Sequence, residues 1–349
     1  MALSVPRDYG LTGDDAKALH RGLAGRWYAP AVPRPVIKAL MQRRDGPAIR
    51  DTILWLGGLA TSGWIGVHFW GSLIAVPCFF VYGILYGSSG DSRWHECGHG
   101  TAFKSPWMNA VVYQLACFMI LREPTVWRSS HTRHHTDTLI VGRDPEIAVP
   151  LPPKLIHLAL NVFALKSTAA SLLKLCLHAA GGLTADERTF IPTAELWKIP
   201  WVARAWLMIL VAVVFTCIRT GSVLPAMLVG LPTMYGGFML LFFGLTQHAG
   251  LAEDVLDHRL NSRTVYMNPL FRFLYLNMNY HLEHHIYPMV PYHALPALHE
   301  AMKSDCPPPH RSCWAAYREI IPAILRQRRE PTWHIMRQLP EARHPEVTG

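Results

Sequence analysis

Three short runs concentrate histidine in this sequence: His95-Glu96-Cys97-Gly98-His99, His131-Thr132-Arg133-His134-His135 and His281-Leu282-Glu283-His284-His285. On a helix, residues three and four apart share a face, so each run turns its imidazoles one way. Imidazole suits iron, copper, zinc and nickel. One such run would read as a solvated surface face. Three supply eight candidate ligands, His95, His99, His131, His134, His135, His281, His284 and His285, more than a single tetrahedral or octahedral ion uses. The expectation is a centre of two ions. His248, at the end of an apolar run, is the ninth candidate, with a satisfied polar residue at a helix end as the plain alternative.

Neutral imidazoles bring no charge to offset a metal, so carboxylates that orient the rings from behind matter. Glu96, Asp137 and Glu283 are placed for this, and each is equally readable as a solvated charge. Gln247 is a candidate for a second hydrogen bond beside His248. Cys97 lies off the His95/His99 face and is set aside. His258, His293 and His299 fall outside the spacing and read as surface residues. His68 and His178 sit in apolar stretches and read as core or interface residues.

The elements that must position these boxes look membrane-embedded. Of 349 residues, 50% are hydrophobic and only 16% charged, a balance that points away from an ordinary soluble protein. The net charge of +9 suits loops facing anionic lipid or an acidic soluble partner. No basic stripe on a nucleic-acid-binding fold accompanies it, so nucleic acid is not expected. Seven cysteines without a Cys-x-x-Cys pair argue for a reducing compartment. Met1 to Leu19 has no apolar stretch of the kind a secretory signal requires.

Residues 1–50 form a basic arm with Arg7, Lys17, Arg21 and Arg26 among its charges. From Thr52 to Gly90 no Asp, Glu, Lys or Arg occurs. A span needs about 20 residues, so this run suits two helices that turn at Trp70-Gly71-Ser72. A second hairpin is expected from Trp201 to Ile218 and Val223 to Thr246, turning at Arg219–Ser222. Residues 105–121 and 154–182 are read as interfacial, because a span there would put the boxes on opposite sides of the bilayer. The expected fold is an all-α membrane protein: four transmembrane helices in two hairpins, with a cytoplasmic helical cap carrying the boxes. The domains are the arm 1–50, the metal-binding unit 51–300 and a cytoplasmic tail 301–349.

This pattern resembles the membrane fatty acid desaturase and hydroxylase superfamily. His95-Glu96-Cys97-Gly98-His99 is similar to the first box of acyl-lipid desaturases, and Asn279-Tyr280-His281-Leu282-Glu283-His284-His285-Ile286-Tyr287-Pro288 resembles their third. The likeness runs from Thr52 to His299. It implies an oxygen-dependent enzyme with two iron ions, ligated by the eight box histidines and by His248, that takes two electrons from a ferredoxin or cytochrome. The chain also looks like a bacterial subgroup of hydrocarbon oxygenases, including a member linked to rhizopine breakdown, whose partner is a small ferredoxin. The bacterial inner membrane is the implied location, with both termini and the metal site cytoplasmic. No fused redox module is recognisable, so a separate soluble donor is expected. Arg122, Arg128, Arg133 and Arg143 are candidate docking charges, or contacts for lipid phosphates.

The implied chemistry cuts an unactivated C–H bond, and the product is a double bond or an alcohol. The substrate is a fatty acyl chain or lipid, or else an alkane or small polar molecule. A zinc hydrolase would leave most of the histidines unused. A metal transporter would place ionisable residues within the spans, which carry almost none.

Overall fold

The computed structural model describes residues 7–19, 23 and 25–340. Arg21 of the basic arm and residues 341–349 of the tail lie outside the described residues. Among the described residues the regular structure is helical, with two isolated β-bridges, Thr264 to Tyr280 and Val265 to His310.

Helix α1 (Asp45–His68) leads into a turn around Gly71, where φ is +89°. That turn falls where the sequence places it. Helix α2 (Ala75–Gly83) returns against α1. It does not stop at Gly83. A π-helical turn, Ile84–Ser88, joins it to α3 (Ser89–Gly98), which carries the first box. The backbone at Gly83 is met closely by Gly236: a Cβ on Gly236 would lie 1.8 Å from the Gly83 carbonyl oxygen. Only glycine allows that approach. α4 (Pro106–Met119) packs on α3.

Helix α5 (Pro124–Asp137) begins with proline at its first position and with Glu123 as cap, whose carboxylate accepts from the Val126 N–H at 2.7 Å. This start fits the preference for proline and a carboxylate where helix N–H groups lack partners. α6 (Leu155–Asn161) and α7 (Leu165–Ala179) meet at 81°, with Ala164 between them at φ +50°. α8 (Lys198–Thr220) is capped by Gly221 at φ +61°. Two short helices, Leu224–Leu228 and Pro232–Tyr235, precede α9 (Phe238–His248). α10 (His281–Ile286) holds the third box, and α11 (Cys313–Gln327) covers α9.

The expectation of four transmembrane helices in two hairpins is wrong. Among the described residues one helix, Thr193–Thr220, which includes α8, is long and apolar enough to cross a membrane. In α1, Gly57, Gly58, Ser62, Gly63 and Gly66 dilute the apolar residues, and Asp45, Arg50 and Asp51 charge its start. The helical run from Ala75 turns polar after Gly90, with Asp91, Arg93, His95 and Glu96 in its second half. The helix expected over Val223–Thr246 is broken by Gly230, Pro232 and Gly236, and its last piece is 11 residues long. The bent α6–α7 pair is at most a broken span.

The core beneath the boxes includes Trp55, Tyr113, Cys117, Phe243, Met278 and Leu282, all nearly inaccessible. Full burial of such side chains stabilises by roughly 1.5–3 kcal/mol each. Arg93 is buried among them and donates to the carbonyls of Leu274 (2.7 Å) and Phe273 (3.1 Å). That ties α3 to the segment leading into α10. Outside, large apolar side chains face outward along one set of helices: Leu54 on α1, Val76 on α2, Trp107 on α4, Leu173 on α7, Met208 and Phe215 on α8.

Candidate metal centre

Four elements converge on one place. α3 brings His95 and, at its C-cap, His99; α5 brings His131, His134 and His135; α9 ends on His248; α10 brings His281, His284 and His285. The rings sort into two clusters, within each of which one nitrogen per ring lies within 4.8 Å of every other. One is His95, His99, His131, His135 and His284; the other is His134, His248, His281 and His285. The boxes do not map one to one onto clusters. His131 and His135, four apart, face the first, while His134 reaches the second; on α10, His284 goes to the first and His281 and His285 to the second.

What lies behind the rings decides which nitrogen faces inward. His131 Nδ1 is 3.0 Å from Glu146 Oε2, and His134 Nδ1 is 2.8 Å from Asp144 Oδ2. His248 Nδ1 donates to the Asn261 carbonyl at 2.7 Å. The Thr138 hydroxyl donates to the His134 carbonyl at 2.7 Å, so it accepts at 3.1 Å from His285 Nδ1. In these four rings the proton is on Nδ1 and the Nε2 lone pair points away from the partner. His248 and His285 both turn a bare Nε2 toward His281 Nε2, at 2.9 and 3.0 Å. His281 has at most one N–H to offer them. In the other cluster, His131 Nε2 is 3.0 Å from His99 Nε2 and 3.1 Å from His135 Nε2.

Extra protons do not relieve this crowding. Burial and the neighbouring rings hold His95, His131, His135, His281, His284 and His285 well below the ordinary histidine pKa. His134 differs: burial lowers it, but Asp144 more than restores it. Both nitrogens of His95 are buried without a hydrogen-bond partner. Inward lone pairs about 3 Å apart repel unless a cation sits among them, and transition metals take such nitrogen donors. The donor set fits two metal ions and is consistent with a di-iron site.

Of the carboxylates expected behind the rings, only Glu96 lies near them, 3.4 Å from His95 Nδ1 and 3.9 Å from His284 Nδ1, with no hydrogen bond to either. Asp137 instead pairs with Arg133 and Arg143, both at 2.7 Å. Glu283 accepts from Thr264 at 2.7 Å and faces His299 at 2.5 Å. Gln247 turns to Tyr275 rather than to His248. His258 and His299, expected at the surface, are buried; His258 stacks on Trp27 of the N-terminal arm at 4.1 Å between ring centres. Asp144 and Glu146 were missed. The loop after α5 curls back through Leu139 (φ +55°) and Gly142 (φ +74°), and Asp144 fixes the curl by accepting from the N–H groups of Leu139 and Glu146, both at 2.8 Å. Gly142-Arg143-Asp144-Pro145-Glu146 is a turn-forming run bearing two carboxylates just beyond a box, and that was the available signal.

A cavity of about 530 Å³ opens onto both clusters through His95, His131, His134, His248 and His281. Trp94, Trp127, Leu240 and Leu245 give it apolar walls, and Asp91, Arg122 and Gln247 give it polar ones. Arg122 pairs with Asp91 at 2.7 Å and lies against the Trp94 and Trp127 rings. Of the candidate docking arginines, Arg128 is the exposed one.

Two imidazole clusters sharing a cavity on a helical scaffold define an oxidoreductase of the histidine-box, di-iron type. The chain belongs to the fatty acid desaturase family, whose model matches residues 70–317. It is 23% identical over 266 residues to the omega-3 fatty acid desaturase, endoplasmic reticulum, of Nicotiana tabacum, covering 67% of this chain and 68% of that one. It is 23% identical over 249 residues to the acyl-lipid omega-3 desaturase (cytochrome b5), endoplasmic reticulum, of Arabidopsis thaliana, covering 64% of each. A shorter match, 38% over 84 residues, joins it to the omega-6 fatty acid desaturase, endoplasmic reticulum isozyme 1, of Glycine max, covering 23% of this chain and 21% of that one.

Proposed function

We propose that His95, His99, His131, His135 and His284 hold one iron ion and His134, His248, His281 and His285 a second. In this reading the enzyme uses O2 and two electrons to desaturate or hydroxylate an unactivated C–H position of a fatty acyl chain or lipid. The observation that carries the reading is the crowding of inward Nε2 atoms at 2.9–3.1 Å in both clusters. Bound there, iron would supply oxygen activation and the one-electron chemistry that breaks a C–H bond. The protein's own part is positional. Asp144, Glu146, Thr138 and the Asn261 carbonyl keep ring protons on Nδ1, while Trp94, Trp127, Leu240 and Leu245 present the apolar walls along which an alkyl segment lies.

The outward apolar side chains of α1, α2, α4, α7 and α8 support a chain embedded in a bilayer, with α8 crossing it. Acyl lipids are met there. In this reading 51–300 is the catalytic unit, flanked by the arm 1–50 and the tail 301–349, and the site opens to the cytoplasm. The donor is a separate ferredoxin-type protein, with exposed Arg128 among its docking charges; the cytochrome b5 named for the Arabidopsis relative is the other class of donor. The polar residues of the cavity wall, Asp91, Arg122 and Gln247, favour a second substrate reading. It is a small polar molecule.

Metal analysis of the purified protein is expected to give about two irons per chain; one zinc and no iron overturns the reading. Mass spectrometry of lipids and polar metabolites, from cells with and without the intact gene, then separates the substrates. A change in acyl unsaturation or hydroxylation supports the lipid reading, and a change confined to polar metabolites moves the substrate to the second.

A further inference from the structure

Beside the cavity that faces the clusters lies a second one of about 220 Å³. The two share Arg122, Trp127, Ser167, Ala170 and Leu240 as lining residues. The smaller chamber has apolar walls, Ile120 and Leu175 among them, yet Glu123, Thr168, Lys174, His178 and Glu187 also line it. These polar residues are not equally satisfied.

Glu187 is the best engaged, with hydrogen bonds to Oε2 and the Lys174 ion pair at Oε1. Its carboxylate meets His178 Nε2 at 3.1 Å, Lys174 Nζ at 3.0 Å and the Thr184 N–H at 2.9 Å. Burial alone would raise its pKa, but these donors hold it at about 2. Because His178 Nε2 faces a carboxylate it carries the ring proton, which leaves Nδ1 as a bare acceptor. That Nδ1 is buried without a partner, as are Glu123 Oε1 and Thr168 Oγ1. Glu123 is 3% exposed, and only its Oε2 is used, in capping α5. Arg122, the nearest guanidinium in the sequence, is already paired with Asp91 at 2.7 Å.

Three buried polar atoms without partners thus belong to the walls of one chamber; the bare His178 Nδ1 only accepts, and Glu123 Oε1 only accepts once the carboxyl is ionised. Leaving such atoms unpaired is costly, and most buried polar groups in proteins are paired. Apolar material fills the chamber without satisfying them. A carboxylate ligand would add a third set of lone pairs.

We infer that this chamber receives the polar, hydrogen-bond-donating end of the substrate, a hydroxyl or an ammonium group, while the carbon to be oxidised lies in the adjoining cavity against the histidine clusters. The inference rests on the metal-centre reading for the place of reaction. The chamber's preference is independent of it. Glu123 selects the donor, Thr168 and His178 complete the pairing, and Trp127, common to both cavities, lies between the polar end and the reacting segment. Burial pushes the Glu123 carboxyl up to about 7, against the lowering effect of the Val126 N–H, His178 and Thr125.

Three water-soluble probes of one chain length test it: hexylamine, 1-hexanol and hexanoate. Their binding is measured calorimetrically on detergent-purified full-length protein of determined iron content, wild type, Glu123→Gln and Thr168→Val. Hexylamine or 1-hexanol should bind at least about tenfold more tightly than hexanoate. An ammonium site shows hexylamine first, with Glu123→Gln weakening it about ten- to a hundredfold. A hydroxyl site shows 1-hexanol equal or better, with Thr168→Val the larger loss. Glutamine keeps an acceptor for the cap of α5, and Thr168 lies on α7, so one of the two variants folds even where the other does not. Hexanoate binding as tightly as the other two, or all three probes binding both variants as they bind wild type, overturns the inference, as does a chamber that binds none of them and holds water only. Discrimination by iron-free protein supports the chamber while the di-iron reading falls; iron-loaded, turning-over protein that ignores the probes does the reverse.

Discussion

The two histidine clusters are built from the same side chain but held differently. Behind the five-histidine cluster stand two carboxylates, Glu146 on His131 and Glu96 between His95 and His284. Behind the four-histidine cluster stand one carboxylate, Asp144, and two neutral groups, the Thr138 hydroxyl and the Asn261 carbonyl. An anionic partner makes an imidazole a stronger donor to a cation than a neutral one does. The five-histidine cluster has more rings and more carboxylates near it, although burial pushes Glu96 up to about 8 and Glu146 up to about 7, toward their neutral forms. The four-histidine cluster leans on a single aspartate that also fixes its own loop.

The largest effect that tests this contrast comes from removing a ring. His284→Ala and His285→Ala should each lower iron from about two to about one per chain, and abolish turnover with it. Both variants retaining full metal and activity would break the assignment of rings to clusters. Next come the groups behind the rings. Asp144→Asn should weaken metal retention about 10–100-fold, read by chelator competition, whereas Thr138→Val should cost under about tenfold, since only a neutral hydrogen bond goes. Equal losses in the two variants would erase the contrast. The smallest effect lies away from both clusters. Glu319 meets His310 Nε2 at 2.8 Å and lies near Arg263 and Arg337. Burial works to raise its pKa, but the His310 hydrogen bond and the Arg337 and Arg263 guanidiniums hold it at about 2. Its folded pKa is below the unfolded value near 4.5, so its stabilisation is present above that pH and fades as pH falls toward 2. Glu319→Gln should flatten the acid limb of the thermal unfolding profile while leaving iron content unchanged.

Much of the centre was legible from spacing. The box histidines and His248 come together in two clusters, and the pairs four apart, His131/His135 and His281/His285, share a cluster as a common helix face allows. Their division between clusters was not legible, since it depends on how α5 and α10 cross. The carboxylates were misread for a related reason. Asp137 and Glu283 are near the boxes in sequence, but Arg133, Arg143, Thr264 and His299 claim them, while Asp144 and Glu146 return through a loop whose curl only the folded chain displays. The second hairpin failed on weighting. A long apolar run outvoted Gly230, Pro232 and Gly236, although those residues were in plain view. His258 and His299 looked like surface residues because nothing local announces that Trp27 will stack on one and Glu283 face the other.

The π-helical turn at Ile84–Ser88 gives the first box its compass bearing. An α-helix advances about 100° per residue, and a π-turn takes in one residue more than an α-turn. Were that turn wound as regular α-helix with every residue kept, the run from Ala75 to Gly98 would continue as one regular helix, and His95 and His99 would swing about a quarter-turn around its axis. Their spacing to each other would be untouched. Each would still sit on a sound helix, facing the wrong way. The same arithmetic gives the residue count between the hairpin and the first box a meaning that the box motif alone does not carry: it is a phase angle, and only one value of it points two imidazoles at the other seven.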